Sequence, residues 1–111
     1  MKKFRYVAAL AVAFVSASAS AQMISGNKLH EDMQKDTGSP WAFTRGYVAG
    51  VHDAHSNLSI CAPASATLGQ MGDMVKTYLE NNAAVRHLAA DAIVLHVLSR
   101  AWPCAKKGSG V

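Results

Sequence analysis

Five histidines and two cysteines are the side chains here best suited to bind a metal or attack an electrophile. His52 and His55 are three positions apart, which places them on one side of any helix that contains both. Two imidazoles so arranged could hold zinc if His96 or Asp91 supplied a third ligand. Neither an HExxH pattern nor a cysteine-rich spacing accompanies them. The expectation is therefore a half-buried histidine pair, hydrogen-bonded to backbone or to Asp53, with no metal and no cofactor. A hydrolase needs a nucleophile, a base and an orienting group. No GxSxG elbow is present, and Asp53, Glu80 and Asp91 fall on different expected helices. The chain is expected not to be an enzyme, with Asp53 pairing locally and Arg86 serving as a surface or helix-start contact.

The cysteines are decided by the first 21 residues. Lys2, Lys3 and Arg5 precede an apolar run from Tyr6 to Val15, and small residues follow to Ala19-Ser20-Ala21. This is the pattern of a cleaved signal peptide, too short to span a bilayer. No cysteine follows the cut to carry a lipid anchor. A mature chain starting near Gln22 and working outside the cytoplasm would hold Cys61 and Cys104 as a disulfide. Neither sulfur would then be a free thiolate for catalysis.

The leader also distorts the charge. The sequence has 11 Lys+Arg against 7 Asp+Glu. Three of those cations lie in the leader, which leaves 8 against 7 and no basic patch for nucleic acid. The remaining 90 or so residues suffice for one small domain whose stability margin is thin. Residues 22–105 are expected to form it, with 106–111 as a flexible tail.

Nothing in the mature chain alternates with period two, so the reading is all-α with four helices. The first covers about Lys28 to Asp36, with Leu29 and Met33 on its apolar side. Ser39 is expected to cap a second helix from Pro40 to about Ser56. Its stripe would be Phe43, Tyr47, Val51, Ala54 and Leu58. Gly46 and Gly50, four apart, suggest a close backbone neighbour. Thr67 and Gln70 form a capping box that opens a third helix to about Glu80. Its face would hold Leu68, Met71, Val75, Tyr78 and Leu79. Asn82 could cap a fourth helix from Ala83 to about Ala101, nearly apolar all round between Ala89 and Leu98 and hence central. Pro103 stops it. Trp102 is expected to anchor the last turn, and Trp41 and Tyr47 are read as core.

Order and spacing add a resemblance. The chain has Gly26-Asn27-x-Leu29, then Gly46-Tyr47-Val48-x-Gly50-Val51-x-Asp53-Ala54, then Cys61-x-Pro63. Thr67-x-x-Gln70, Val75-x-x-Tyr78-Leu79, Arg86-His87, Ala89-Ala90 and Trp102-Pro103-Cys104 come after them. Over nearly the whole mature chain this resembles the Rap/Tai family of immunity proteins, which protect bacteria from type VI secretion amidases. The resemblance implies a small exported helical protein, often a homodimer. It would bind a peptidoglycan-cutting amidase in the periplasm and block its cleft sterically. Where the family commonly carries a second disulfide, this chain has Met33 and Thr44. Both cysteines are replaced together, so no orphan thiol remains, and Met33 could fill the gap as an apolar contact. The first helix should then be less firmly pinned to the second.

A plug must protrude and offer polar and apolar atoms together. The sharpest expected turn is Asn81–Asn82, with Arg86 and His87 beside it, and these four are the candidate toxin-binding residues. An ordinary interhelical turn is the plainer reading of the same residues. The alternative function is a small periplasmic structural or chaperone-like helical protein without a toxin partner.

Overall fold

The computed structural model describes residues 23–105. The leader expected over residues 1–21 and the tail expected over 106–111 lie outside them. Four helices appear in order: α1 (Gly26–Met33), α2 (Gly38–His55), α3 (Leu68–Asn81) and α4 (Ala90–Ala101). One 3-10 turn, Ala83–Val85, precedes α4. No strand occurs among the described residues; three isolated bridges fasten loops instead. The fold is all-α and carries one disulfide, Cys61–Cys104, as the sequence indicates.

The helix starts arise from local chemistry. Ser25 lies in extended backbone, and its Oγ accepts from the Lys28 amide at 3.1 Å, satisfying one of the free donors of α1. At α3 the expected capping box is complete. Thr67 Oγ1 accepts from the Gln70 amide at 3.1 Å, and Gln70 Oε1 accepts from the Thr67 amide at 2.9 Å. The start of α2 departs from expectation: the helix begins at Gly38, after an extended Thr37 that makes no side-chain cap, and Ser39 lies inside the first turn. Gly38 has φ +80°, a left-handed conformation that glycine adopts without steric cost. It swings the chain out of α1 and into α2.

The expected fourth helix is divided. Residues 86–89 leave the helical path because their carbonyls are claimed from elsewhere. The Gly26 amide donates to the Leu88 oxygen at 2.8 Å and the Asn27 amide to the Arg86 oxygen at 2.6 Å. In return the Ala90 amide donates to the Ile24 oxygen at 2.9 Å. The starts of α1 and α4 thus satisfy each other's free backbone groups, a task usually left to side chains or water. Asn82 makes no side-chain cap to the 3-10 turn after it; its Nδ2 donates back to the Tyr78 oxygen at 2.8 Å.

The core holds Leu29 of α1, Val48 of α2, Met71, Val75 and Leu79 of α3, and Ala90, Ile93, Val94, Val97 and Leu98 of α4, with Ile60 entering from a loop. Full burial of such a side chain contributes about 1.5–3 kcal/mol each. The buried face of α2 is rotated from the expected stripe: Thr44 and Val48 are buried, Tyr47 and Val51 are half-buried, and Phe43 and Ala54 are exposed. Leu58 lies beyond the helix and is 75% exposed. The periodicity misleads because the aromatic and aliphatic residues of α2 outnumber the positions that face the other helices. Trp41 is likewise surface rather than core, with the Arg45 guanidinium 4.5 Å from its ring centroid. Tyr47 is packed against the core as expected.

Helix α4 touches each of the other three helices but is not buried all round. Asp91, Ala92 and His96 are exposed on its outer side. Two further departures concern packing detail. A Cβ at Gly46 or Gly50 would meet nothing within 4 Å, so among the described residues no other backbone lies against that pair. Gly26, by contrast, is required: a Cβ there would lie 2.5 Å from Ile93 Cδ1 and 2.8 Å from the Arg86 oxygen. Met33 packs at the core edge, yet with Thr44 it borders a hollow of about 310 Å³ between α1, α2 and α3. Thr44 is buried and donates through Oγ1 to the Trp41 oxygen at 3.0 Å.

Candidate functional site

The histidines settle first. His52 Nδ1 lies 2.9 Å from Oδ1 of the adjacent Asp53, the local pairing expected of them. His52 and His55 occupy the last turn of α2, where cations are favoured by the helix dipole. His96 is on α4, ring to ring with Tyr78 at 5.5 Å. Among the described residues no group of three or more His, Cys, Asp or Glu side chains is placed to hold a metal ion. Both cysteines are consumed in the disulfide.

What the fold does present is shape. The end of α3 carries Asn81, exposed, and Asn82, half-buried. Beside them the chain turns sharply through Ala83–Val85 to Arg86 and His87. These are the residues the sequence singles out, and the structure gathers them at one corner. Their roles there differ. The Arg86 side chain is folded inward: Nε donates to the Leu79 oxygen at 2.6 Å and Nη2 to the Glu80 oxygen at 3.2 Å. It closes the C-terminal end of α3, where last-turn carbonyls lack helical partners. Asn82 is tied to Tyr78. Asn81 and His87 are exposed at the surface.

A groove of about 560 Å³ runs from this corner between α3 and α4, lined by Asp73, Thr77, Tyr78, Asn81, His96 and Arg100. Across the Tyr78–His96 ring pair it adjoins a smaller hollow of about 280 Å³ that includes Val85, Leu88 and Ile93.

A second protrusion escapes the sequence reading, which places Leu58 on the α2 stripe. The His55 oxygen accepts the amides of Leu58, Ser59 and Ile60 at 3.0–3.1 Å, and Asn57 adopts φ +63°. Ile60 is fully buried, and the Cys61 amide donates to the Trp102 oxygen at 2.8 Å next to the disulfide. An exposed leucine is thereby held out on a braced tip. The only signal in the sequence is the Asn57-Leu58-Ser59 triplet ahead of Cys61 and Pro63, where turn-formers surround one apolar residue.

Among the described residues, two ionisable groups are displaced from their ordinary values. The hydrogen bond and charge of Asp32, 2.9 Å away, hold the Lys28 ammonium above its usual range. Burial, aided by the Asp91 carboxylate, raises the Tyr47 phenol. Neither belongs to the corner at Asn81, which offers polar shape and not tuned acid–base chemistry.

Residues 25–104 match the family model described as Rap1a immunity proteins. No curated protein matches the chain.

Proposed function

Since the chain belongs to the Rap1a immunity protein family, we propose that it is a periplasmic inhibitor that neutralises a type VI secretion peptidoglycan amidase by occluding its cleft. Export would result from the leader pattern at residues 1–21, and no helix among the described residues is long and apolar enough to cross a membrane. The reading assigns the protein a binding role and no reaction of its own. It acts as a homodimer, as the resemblance implies.

The observation that carries the reading is the braced corner at Asn81. A plug inserted into an enzyme groove must keep its shape on binding, because ordering a loose loop costs affinity. Here Arg86 clamps the end of α3 and Asn82 is fastened to Tyr78, leaving Asn81 and His87 as the outward residues. A second occluding element is favoured by a separate observation: Leu58, 75% exposed on a loop secured at Ile60 and Cys61, has the apolar tip that fills a pocket.

The test is protection. Cells that export a type VI peptidoglycan amidase of the same strain into their own periplasm should lyse, and co-expression of this protein should rescue them. An Asn81→Lys, His87→Glu double variant should lose rescue if the corner is the plug, and a Leu58→Asp variant if the tip is. Absence of rescue by the parent protein, correctly exported and folded, overturns the immunity reading for that toxin.

A further inference from the structure

The groove between α3 and α4 has features that occlusion by a corner or a tip does not use. Asp73 and Arg100 both line it, yet among the described residues neither has an ion-pair partner. Both are exposed, so each is open to an opposite charge on an occupant. The same groove is lined by the apolar side chains of Met74 and Val97 and by the Tyr78 ring. Along its edge stand the Thr77 hydroxyl and the Asn81 amide, groups able to donate and accept at once.

We propose that this groove binds a short extended peptide of mixed charge, with a basic side chain toward Asp73, an acidic one toward Arg100 and an apolar one over Met74 and Val97. The dimensions fit that class. Asp73 and Asn81 are eight residues apart on α3, about 12 Å at ~1.5 Å per residue. That is the span of roughly four residues of extended chain at ~3.3 Å each. The groove is open along its length, which suits a segment of a larger protein better than an enclosed small molecule. A strand laid there would have its main-chain groups met by Thr77 and Asn81, and it could not be uniformly acidic or basic, since either Asp73 or Arg100 would then repel it.

This rests on the reading that the protein works by recognising another protein, but not on which toxin it recognises. Random heptapeptides displayed on phage and selected on the mature protein should enrich sequences that combine a base, an acid and an apolar residue. A synthetic peptide from that pool should bind about tenfold or more weakly to a Thr77→Trp variant, whose indole fills the groove from an exposed position. It should bind a Phe43→Ser variant, altered on α2, as well as the parent. Amide shifts in the parent on adding the peptide should concentrate at Thr77, Tyr78, His96 and Arg100, a readout that holds even if Thr77→Trp folds poorly. No enrichment, equal binding by Thr77→Trp, or shifts centred on α1 and α2 overturns the proposal. Failure of amidase rescue alongside saturable peptide binding removes the toxin assignment and leaves the groove.

Discussion

Arg86 Nε donates to the main-chain oxygen of Leu79 at 2.6 Å, so a cation in the loop before α4 closes the far end of α3. A charged hydrogen bond of this kind is worth about 1.5–3 kcal/mol. Arg86→Ala should lower thermal stability by that amount, and Arg86→Lys by less than Arg86→Ala, because Lys keeps the charge but not the planar fork. Scanning calorimetry of the two variants checks both. An unchanged melting temperature in Arg86→Ala would mean the bond is idle in solution.

The glycines divide sharply by their surroundings. Gly26→Ala drives a methyl against Ile93 and against the Arg86 carbonyl, which is backbone and cannot turn aside. Overpacking of this sort costs about 1–3 kcal/mol. Gly46→Ala and Gly50→Ala meet open space and remove a poor helix former, so each should stabilise by up to about 1 kcal/mol. Chemical denaturation of the three single variants should give opposite signs for the first and the other two.

Reduction of Cys61–Cys104 opens a loop of 43 positions, for which chain entropy gives about 4 kcal/mol. The folded geometry should survive, because the Ile60–Pro103 bridge and the Cys61 amide hold the same strands of chain together. The expected outcome is a much lower melting temperature with an unaltered helical circular-dichroism spectrum at room temperature. Equal melting with and without reductant would sink it.

High pH should weaken the fold through Tyr47 and Lys28. Both titrate above their ordinary values of 10.0 and 10.5, so the native state holds these protons longer than the unfolded one does. Stability from this source is complete below about pH 10 and is lost as pH climbs through the folded values. Melting temperatures measured from about pH 8 to about pH 11 should stay level and then fall. Tyr47→Phe should make the fall shallower, since it removes one of the two titrations.

Much of the fold was readable from residue types. The capping box at Thr67–Gln70, the disulfide, the all-α class and the corner at Asn81 come from local patterns, which is where sequence reasoning is strongest. The failures share one cause: tertiary partners that no window along the chain contains. Residues 86–89 look helical until Gly26 and Asn27 take their carbonyls. Arg86, read as a surface or helix-start contact, turns out to close the end of α3 through Leu79 and Glu80. Leu58 fits a helical stripe but falls past the end of α2, where three amides converge on the His55 oxygen.

The exchange of hydrogen bonds between Ile24–Asn27 and Arg86–Ala90 sets an order of events in folding. α1 is made first, yet the acceptors for its leading amides are supplied some sixty residues later. Until that segment is in place, α1 is a lone helix of 8 residues, and helices of fewer than about 12 residues are marginal in water. The start of α1 is therefore completed only when the segment that leads into α4 is in place.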